Sequence, residues 1–256
     1  MDRVIILGSS SAVPVAGHEN THLLVETGSR VVLVDCPGTP MVRVAQAGVD
    51  PKTITDLILT HFHPDHVSGF AALLMSLWLV GRKAPLAIYG LAPTLERAQK
   101  MLDLFDWQQW PNFYPLEFIT VPAEEHATLF QGVDLSVYAS PTQHLIPTIG
   151  LRFEFSRINR VLTYSCDTEP SQAVRRLADG ADVLIHEATG TGTGHTTPEK
   201  AGAIATQAAA GALYLIHYPS QLIDPESLLA RARTAYQGPI FVAEDFQSID
   251  LNAAAR

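Results

Sequence analysis

Three histidines and an aspartate fall within six consecutive positions, His61 to His66, in the stretch LTHFHPDHVSG. His61 and His63 follow a predicted strand with a spacing of two, so on extended backbone both rings project to one side and can share one metal ion. Asp65 and His66 come after Pro64, where the chain must turn, and can aim a carboxylate and a third imidazole at a second ion. The pattern His-x-His-x-Asp-His thus offers two ligands to each of two metals. Further ligands must come from elsewhere, and three residues stand at the ends of predicted strands: His144 after VYASPTQ, Asp167 ending VLTYSCD and His217 ending ALYLIH. They complete the count, with His61, His63 and His144 on one metal, Asp65, His66 and His217 on the other, and Asp167 bridging. Two divalent ions about 3.5 to 4 Å apart lower the pKa of a shared water from about 15.7 toward 7. At about 1.36 kcal/mol per unit this is a differential stabilisation of roughly 12 kcal/mol. The same ions neutralise phosphoryl oxygens during in-line displacement, which suits phosphodiesters.

His195 precedes Thr196-Thr197-Pro198-Glu199, a capping-box pattern with proline in the first helical turn. A helix N-terminus there favours a neutral imidazole and an anionic substrate. The GTGTG run, Gly190 to Gly194, fails as a dinucleotide fingerprint because His195 stands where a glycine is needed, and it reads as a flexible rim. Asp35 is placed to accept an N–H from a ligand imidazole. His18, His22 and His126 read as ordinary surface or satisfied histidines, and His186 as facing away from Glu187, since strand neighbours alternate. Trp78, Trp107, Trp110, Phe113 and Tyr114 can line a substrate wall, though core packing explains most of them. Cys36 and Cys166 have neither metal-ligand spacing nor a partner framework and read as reduced, buried thiols.

Positioning these groups requires many strand ends. Short β runs are predicted at Val4 to Leu7, Thr21 to Glu26 and Arg30 to Asp35, the last two joined as a hairpin around Thr27-Gly28. A helix near Met41 to Ala47 precedes the strand Asp56 to Thr60, which runs into the histidine cluster. The segment GFAALLMSLWLVG is apolar on every face and predicts a helix buried between layers. Further strands are expected at LAIYG, Leu116 to Thr120, Leu135 to Ala139 and Thr148 to Phe155, with a helix at PTLERAQKMLDLF. The second half alternates: RVLTYSCD strand, PSQAVRRLA helix, ADVLIHEA strand, TPEKAGAIATQAAA helix, ALYLIH strand. Meanders in one half and βα alternation in the other predict an α/β protein (α+β by some schemes) built as a four-layer αββα sandwich. No linker divides the chain, so residues 1–256 are expected to form a single domain.

The chain has 256 residues, 47% of them hydrophobic and 17% charged, which is enough to bury a large core. A net charge of −9 with scattered Lys and Arg opposes a nucleic-acid partner, so RNA is not favoured. Val4 to Leu7 is too short for a signal-peptide core and Phe70 to Val80 too short to span a bilayer, so no membrane partner and a cytoplasmic location are expected.

The chain resembles the metallo-β-lactamase fold and, within it, the ribonuclease Z-like branch. The matching stretches are ILGSSSAVP with Asn20, VVLVDCPGT, LILTHFHPDHVSG, PLAIYG, PTQHLIPTIGLRF, LTYSCDT, IHEATG, GHTTPEKAG and LIHY. The His-x-His-x-Asp-His motif marks the fold; the HEAT tetrad, His186 to Thr189, with the later GHTT, marks the branch. The resemblance implies two Zn2+ ions at the positions deduced above, with Mn2+ or Fe as alternatives. It implies that His195 stabilises the transition state or protonates the leaving oxygen with Glu187 as partner, and that Asp65, His195 and Glu187 form the catalytic set. Departures bear on substrate. Members of the branch commonly insert a tRNA-gripping arm between the positions of His144 and Asp167, yet here only 23 positions (167 − 144) separate them. Pro64 stands where glycine is frequent, and Tyr164 where an acid can occur. The expectation is therefore a dinuclear-zinc phosphodiesterase acting on a small or nucleotide-like diester, with a homodimer as partner state. The alternatives are a tRNA 3′-processing endoribonuclease with atypical substrate binding, or an ester or lactone hydrolase on the same metals.

Overall fold

The computed structural model describes residues 2–249 and 251. Six strands come first: β1 (Arg3–Gly8), β2 (His22–Glu26), β3 (Val31–Val34), β4 (Asp56–Ile58), β5 (Leu86–Gly90) and β6 (Leu116–Thr120). They lie side by side in that order, the first three antiparallel and the rest parallel. A second sheet holds β7 (Ala127–Gln131), β8 (Leu135–Pro141), β9 (Ile149–Phe155), β10 (Arg160–Tyr164), β11 (Val183–Glu187), β12 (Ala212–Ile216) and β13 (Ile240–Val242), again in sequence order. Here β7 to β10 run antiparallel and β10 to β13 parallel. The short β14 (Ser248–Ile249) returns to the first sheet beside β1. Each sheet therefore has seven strands, half meander and half βα-connected.

Strand alternation sorts the side chains. Val4, Ile6, Leu23, Val25, Val32 and Val34 of the first sheet meet Val137, Leu151, Phe153, Leu162 and Ile185 of the second in one apolar layer. The opposite face of the first sheet, with Ile5, Leu24, Leu33 and Leu57, is covered by α1 (Pro40–Gln46), α3 (Phe70–Leu79) and α4 (Ala92–Asp103); the short α2 (Pro64–Val67) precedes α3. Leu184, Leu213 and Leu215 on the outer face of the second sheet pack under α6 (Pro198–Gln207) and α7 (Pro225–Arg233), and α5 (Gln172–Leu177) lies against β8 and β9. This is the four-layer αββα sandwich expected from the order of strands and helices.

The structure corrects the reading of α3. Phe70, Leu73, Leu74 and Leu77 are buried, but Met75, Leu79 and Val80 are 40%, 67% and 49% exposed. The helix covers one face of a sheet, so its apolar outer side meets solvent instead of another layer. Trp78, Trp107, Trp110 and Phe113 form a half-buried aromatic cluster between the ends of α3 and α4, with Trp78 and Trp110 stacked at 5.3 Å. None of them lines the pocket described below. Between His144 and Asp167 lie only β9, the turn 156–159 and β10. Among the described residues no helix is long and apolar enough to cross a membrane.

Candidate metal centre

The parallel strands β3, β4, β10, β11 and β12 end along one edge of the sandwich, and most of the candidate residues lie at or just beyond those ends, while His144 follows β8. This is the crevice where open α/β sheets place ligands. The chain leaves three of the strands through left-handed backbone: Asp35 follows β3 with φ 60°, Cys166 follows β10 with φ 52°, and His217 follows β12 with φ 54°. Non-glycine residues pay a steric penalty there, and such conformations concentrate at functional sites. The kink at Cys166 ends β10 at Tyr164, three residues earlier than the predicted strand, and turns Asp167 inward.

His61, His63 and His144 bring one nitrogen each to a common point: His63 Nδ1 lies 3.0 Å from His61 Nε2 and 3.1 Å from His144 Nε2. Asp65, His66 and His217 form a second group, with Asp65 Oδ2 3.7 Å from His66 Nε2 and 3.5 Å from His217 Nε2. Asp167 lies between the two. Its Oδ2 is 3.9 and 3.8 Å from His61 and His144 Nε2, and its Oδ1 is 3.6 and 3.5 Å from His66 and His217 Nε2.

Three of these atoms, His66 Nε2, His217 Nε2 and Asp167 Oδ1, are buried without any hydrogen-bond partner. A buried polar atom left unpaired costs about 1–3 kcal/mol. Three converging on one point fit a cation held there, and the donor set of imidazoles and carboxylates fits zinc or a similar divalent ion.

The outer nitrogens of four of the candidate ligand rings are anchored. Asp35 Oδ2 accepts from His66 Nδ1 at 2.8 Å and from Thr60 Oγ1 at 2.7 Å, while Asp35 Oδ1 accepts from the Thr60 N–H. Thr60 Oγ1 in turn lies 3.1 Å from His61 Nδ1, with Cys166 Sγ at 3.7 Å from the same nitrogen. His144 Nδ1 donates to the Gly194 carbonyl at 2.8 Å, and His217 Nδ1 meets Thr189 Oγ1 at 2.9 Å. With its N–H spent outward, each of these four rings turns the Nε2 lone pair toward the centre.

The electrostatics follow from crowding and burial. Burial, then the neighbouring His66, hold His61 well below the ordinary histidine range; burial and His144 lower His63. Burial opposes a charge on His66 as well, but Asp167 and Asp35 raise it well above that range. Asp167 is disfavoured as an anion by burial, yet His217 and His66 hold it well below the usual carboxylate range.

Beside this group, His195 Nδ1 lies 3.2 Å from Glu187 Oε1. Glu187, fully buried, also accepts from the N–H groups of Thr168, Thr189 and Thr196. Burial would depress His195, but the Glu187 bond and charge more than offset it and raise its pKa. The helix N-terminus lies two residues on, where Thr197 caps α6 at Pro198. His195 stacks on His217 at 5.7 Å and meets His144 edge-on at 5.1 Å, so it faces the same space.

A pocket of about 250 Å³ opens over the centre, lined by Ser11, Ala12, Leu145, Thr189, His195 and ligand side chains, with no Lys or Arg among the lining residues. Ser11 and Ala12 sit in a loop shaped by a close approach: a Cβ on Gly8 would lie 2.1 Å from the Asn20 carbonyl oxygen. A larger hollow of about 390 Å³, among His126, Tyr138, Arg152, Glu154, Arg176 and Asp179, has its arginines already paired, Arg152 with Glu154 and Arg176 with Glu125.

Other candidates fall outside the centre. His186 is buried with Nδ1 on the Glu187 carbonyl. His18 contacts Ser9 and Tyr218, and His126 is exposed. His22 is no surface residue: it is 1% exposed, Nδ1 meets the Asn20 carbonyl and Nε2 has no partner. Both cysteines are free and buried. Sequence reasoning missed Thr60, Thr189 and the Gly194 carbonyl. Their one signal was adjacency to a ligand or to HEAT, which distinguishes no particular neutral group.

A family model described as Anti-Pycsar protein Apyc1 matches residues 3–237. A ribonuclease Z of Mycobacterium sp. (strain KMS) is 31% identical, the match covering 98% of this chain and 97% of the relative. A ribonuclease Z of Methanothermobacter thermautotrophicus is 26% identical over 99% and 98% of the two chains. Among solved structures, the metallo-β-lactamase fold protein YhfI from Bacillus subtilis superposes with a TM-score of 0.83 at 24% identity, covering 97% of this chain and 98% of YhfI. Human tRNase Z, short form, gives a TM-score of 0.79 at 23% identity over 98% and 99%.

Proposed function

The chain belongs to the ribonuclease Z-like branch of the metallo-β-lactamase fold and to the family described as Anti-Pycsar protein Apyc1, and from that premise we propose that it is a dinuclear-zinc phosphodiesterase acting on a small, nucleotide-like diester. It is a metal-dependent hydrolase. The observation that carries the dinuclear reading is Asp167, whose two oxygens face two separate ligand groups. On this reading His61, His63 and His144 would hold one ion and Asp65, His66 and His217 the other, with Asp167 offering one oxygen to each group. When bound, such a pair supplies Lewis acidity and an acidified water at neutral pH.

The chain's own residues do the rest. Asp35, Thr60, Thr189 and the Gly194 carbonyl hold the ligand rings in register. Asp65 bears charge at the mouth of the pocket beside His217. Glu187 keeps His195 protonated at Nδ1, and His195 Nε2 delivers its proton to the leaving oxygen.

The pocket supports a small substrate. About 250 Å³ suits a mononucleotide-sized molecule, and a wall without Lys or Arg gives no grip on a polyanion. The alignment with the mycobacterial ribonuclease Z is longer than this chain, so that relative carries residues absent here. The same lack of cationic lining favours a second reading, hydrolysis of neutral esters or lactones. A panel assay separates them: metal-loaded protein is offered a bis-aryl phosphodiester, a cyclic mononucleotide, a tRNA precursor and a lactone. Chelator-sensitive turnover of the first two is expected. Activity confined to the lactone overturns the reaction class, and activity confined to the tRNA precursor overturns the substrate class.

A further inference from the structure

The glycine-rich run before His195 reads from sequence as a loose rim, but its last residue is held at both backbone polar groups. The Gly194 N–H donates to Glu169 Oε1 at 2.9 Å, and the Gly194 carbonyl accepts from His144 Nδ1 at 2.8 Å. Glu169 is itself fixed close to the centre, two residues beyond Asp167, by its N–H to the Gln143 carbonyl at 2.7 Å and its carbonyl to Thr168 Oγ1 at 2.6 Å. Gly194 is left-handed, with φ 83°, and a Cβ added there would lie 2.9 Å from His144 Nδ1 and 3.2 Å from Leu145 Cγ. The next residue is His195.

We propose that Glu169 is a positioning residue, latching Gly194 over His144 so that one loop both orients a metal ligand and presents the acid His195. The chain of contacts is continuous: Glu169 carboxylate, Gly194 backbone, His144 imidazole. A carboxylate is a strong acceptor for a backbone N–H, and losing it frees the loop residue whose carbonyl meets His144 Nδ1. Partners of this kind, one bond removed from the metal, typically change affinity 10–100-fold when lost. Glu169 acts one bond further out, so its effect belongs at the lower end, about tenfold, and on one ion of the two. The metal part of this inference rests on the dinuclear reading above; the latch itself does not.

The test compares wild type, Glu169→Ala, Glu169→Gln and Gly194→Ala. In metal-free protein labelled with 15N at glycine and histidine, hydrogen exchange is followed at the Gly194 amide and the His144 Nδ1–H. Both are expected to exchange at least tenfold faster in Glu169→Ala and to return toward wild type in Glu169→Gln, whose amide oxygen still accepts the N–H, at an unchanged Tm. In a Co2+ titration, Glu169→Ala and Gly194→Ala are expected to lose about tenfold affinity for one ion and to keep the other within twofold. Exchange in Glu169→Ala matching wild type overturns the latch, whatever the metals do. A wild type that binds fewer than two Co2+ ions instead sinks the dinuclear reading, with the exchange comparison still deciding the latch.

Discussion

His144 and His217 acquire meaning from the atoms they turn inward. Each spends Nδ1 on a neutral acceptor, the Gly194 carbonyl or Thr189 Oγ1, which leaves Nε2 toward Asp167. The seven side chains that converge were legible in the sequence because metal ligands are drawn from few residue types and sit at strand ends. Their partners were less legible, since any Thr or backbone carbonyl can accept an imidazole N–H. Two predictions belong at this scale. Asp35→Ala removes the acceptor of both His66 and Thr60 and is expected to weaken metal binding about 10–100-fold, read by titration against a competing chelator. Binding at wild-type strength would deny Asp35 that part. His195→Ala is expected to lower kcat about 10²–10⁴-fold while metal content stays at the wild-type level. A matching fall in metal content would make His195 a ligand rather than the acid.

At the scale of elements, the sheet core follows directly from continuous apolar runs. Val, Ile and Leu fill consecutive positions of β1, β2 and β3, which are buried on both faces, and those strands lie within a residue or two of their expected bounds. Three things escaped. The two- and three-residue β14 and β13 are too short to carry a period, and β7, ATLFQ, is not among the expected strands. The helix α7 had a capping signal in Asp224-Pro225-Glu226, with Asp224 accepting from the Ser227 N–H, but a narrow apolar stripe. The left-handed turns at Asp35, Cys166 and His217 left no trace, because no glycine marks them. Phe153, fully buried in the middle of β9 between the sheets, gives the element-scale prediction. Phe153→Ala should cost about 3–5 kcal/mol in urea unfolding of the metal-free protein, with ligand geometry kept. A cost below about 1 kcal/mol would mean that the two sheets do not meet there.

For the whole molecule, folding is linked to protons. His22 on β2 is pushed down to about 3, chiefly by burial, although its bond to the Asn20 carbonyl raises it. Unfolding returns it to the ordinary value near 6.5, so between pH 6.5 and 3 the unfolded chain binds a proton that the folded chain refuses, and stability is lost as the pH is lowered. Between pH 7.5 and 5 this amounts to about 2 kcal/mol. Metal-free wild type should therefore lose about 2 kcal/mol more than His22→Asn over that interval, and equal slopes would place the acid sensitivity elsewhere. The sequence conveyed the four layers but not which histidines stay neutral, since that depends on what buries them.

The central claim is that one carboxylate, Asp167, joins two ligand groups into a two-ion centre. Anomalous scattering from crystals grown with Zn2+ or Mn2+ tests it most directly. Two peaks are predicted per chain, one bounded by His61, His63 and His144 and one by Asp65, His66 and His217, with Asp167 touching both. A single peak, or a pair that leaves Asp167 unengaged, would contradict it.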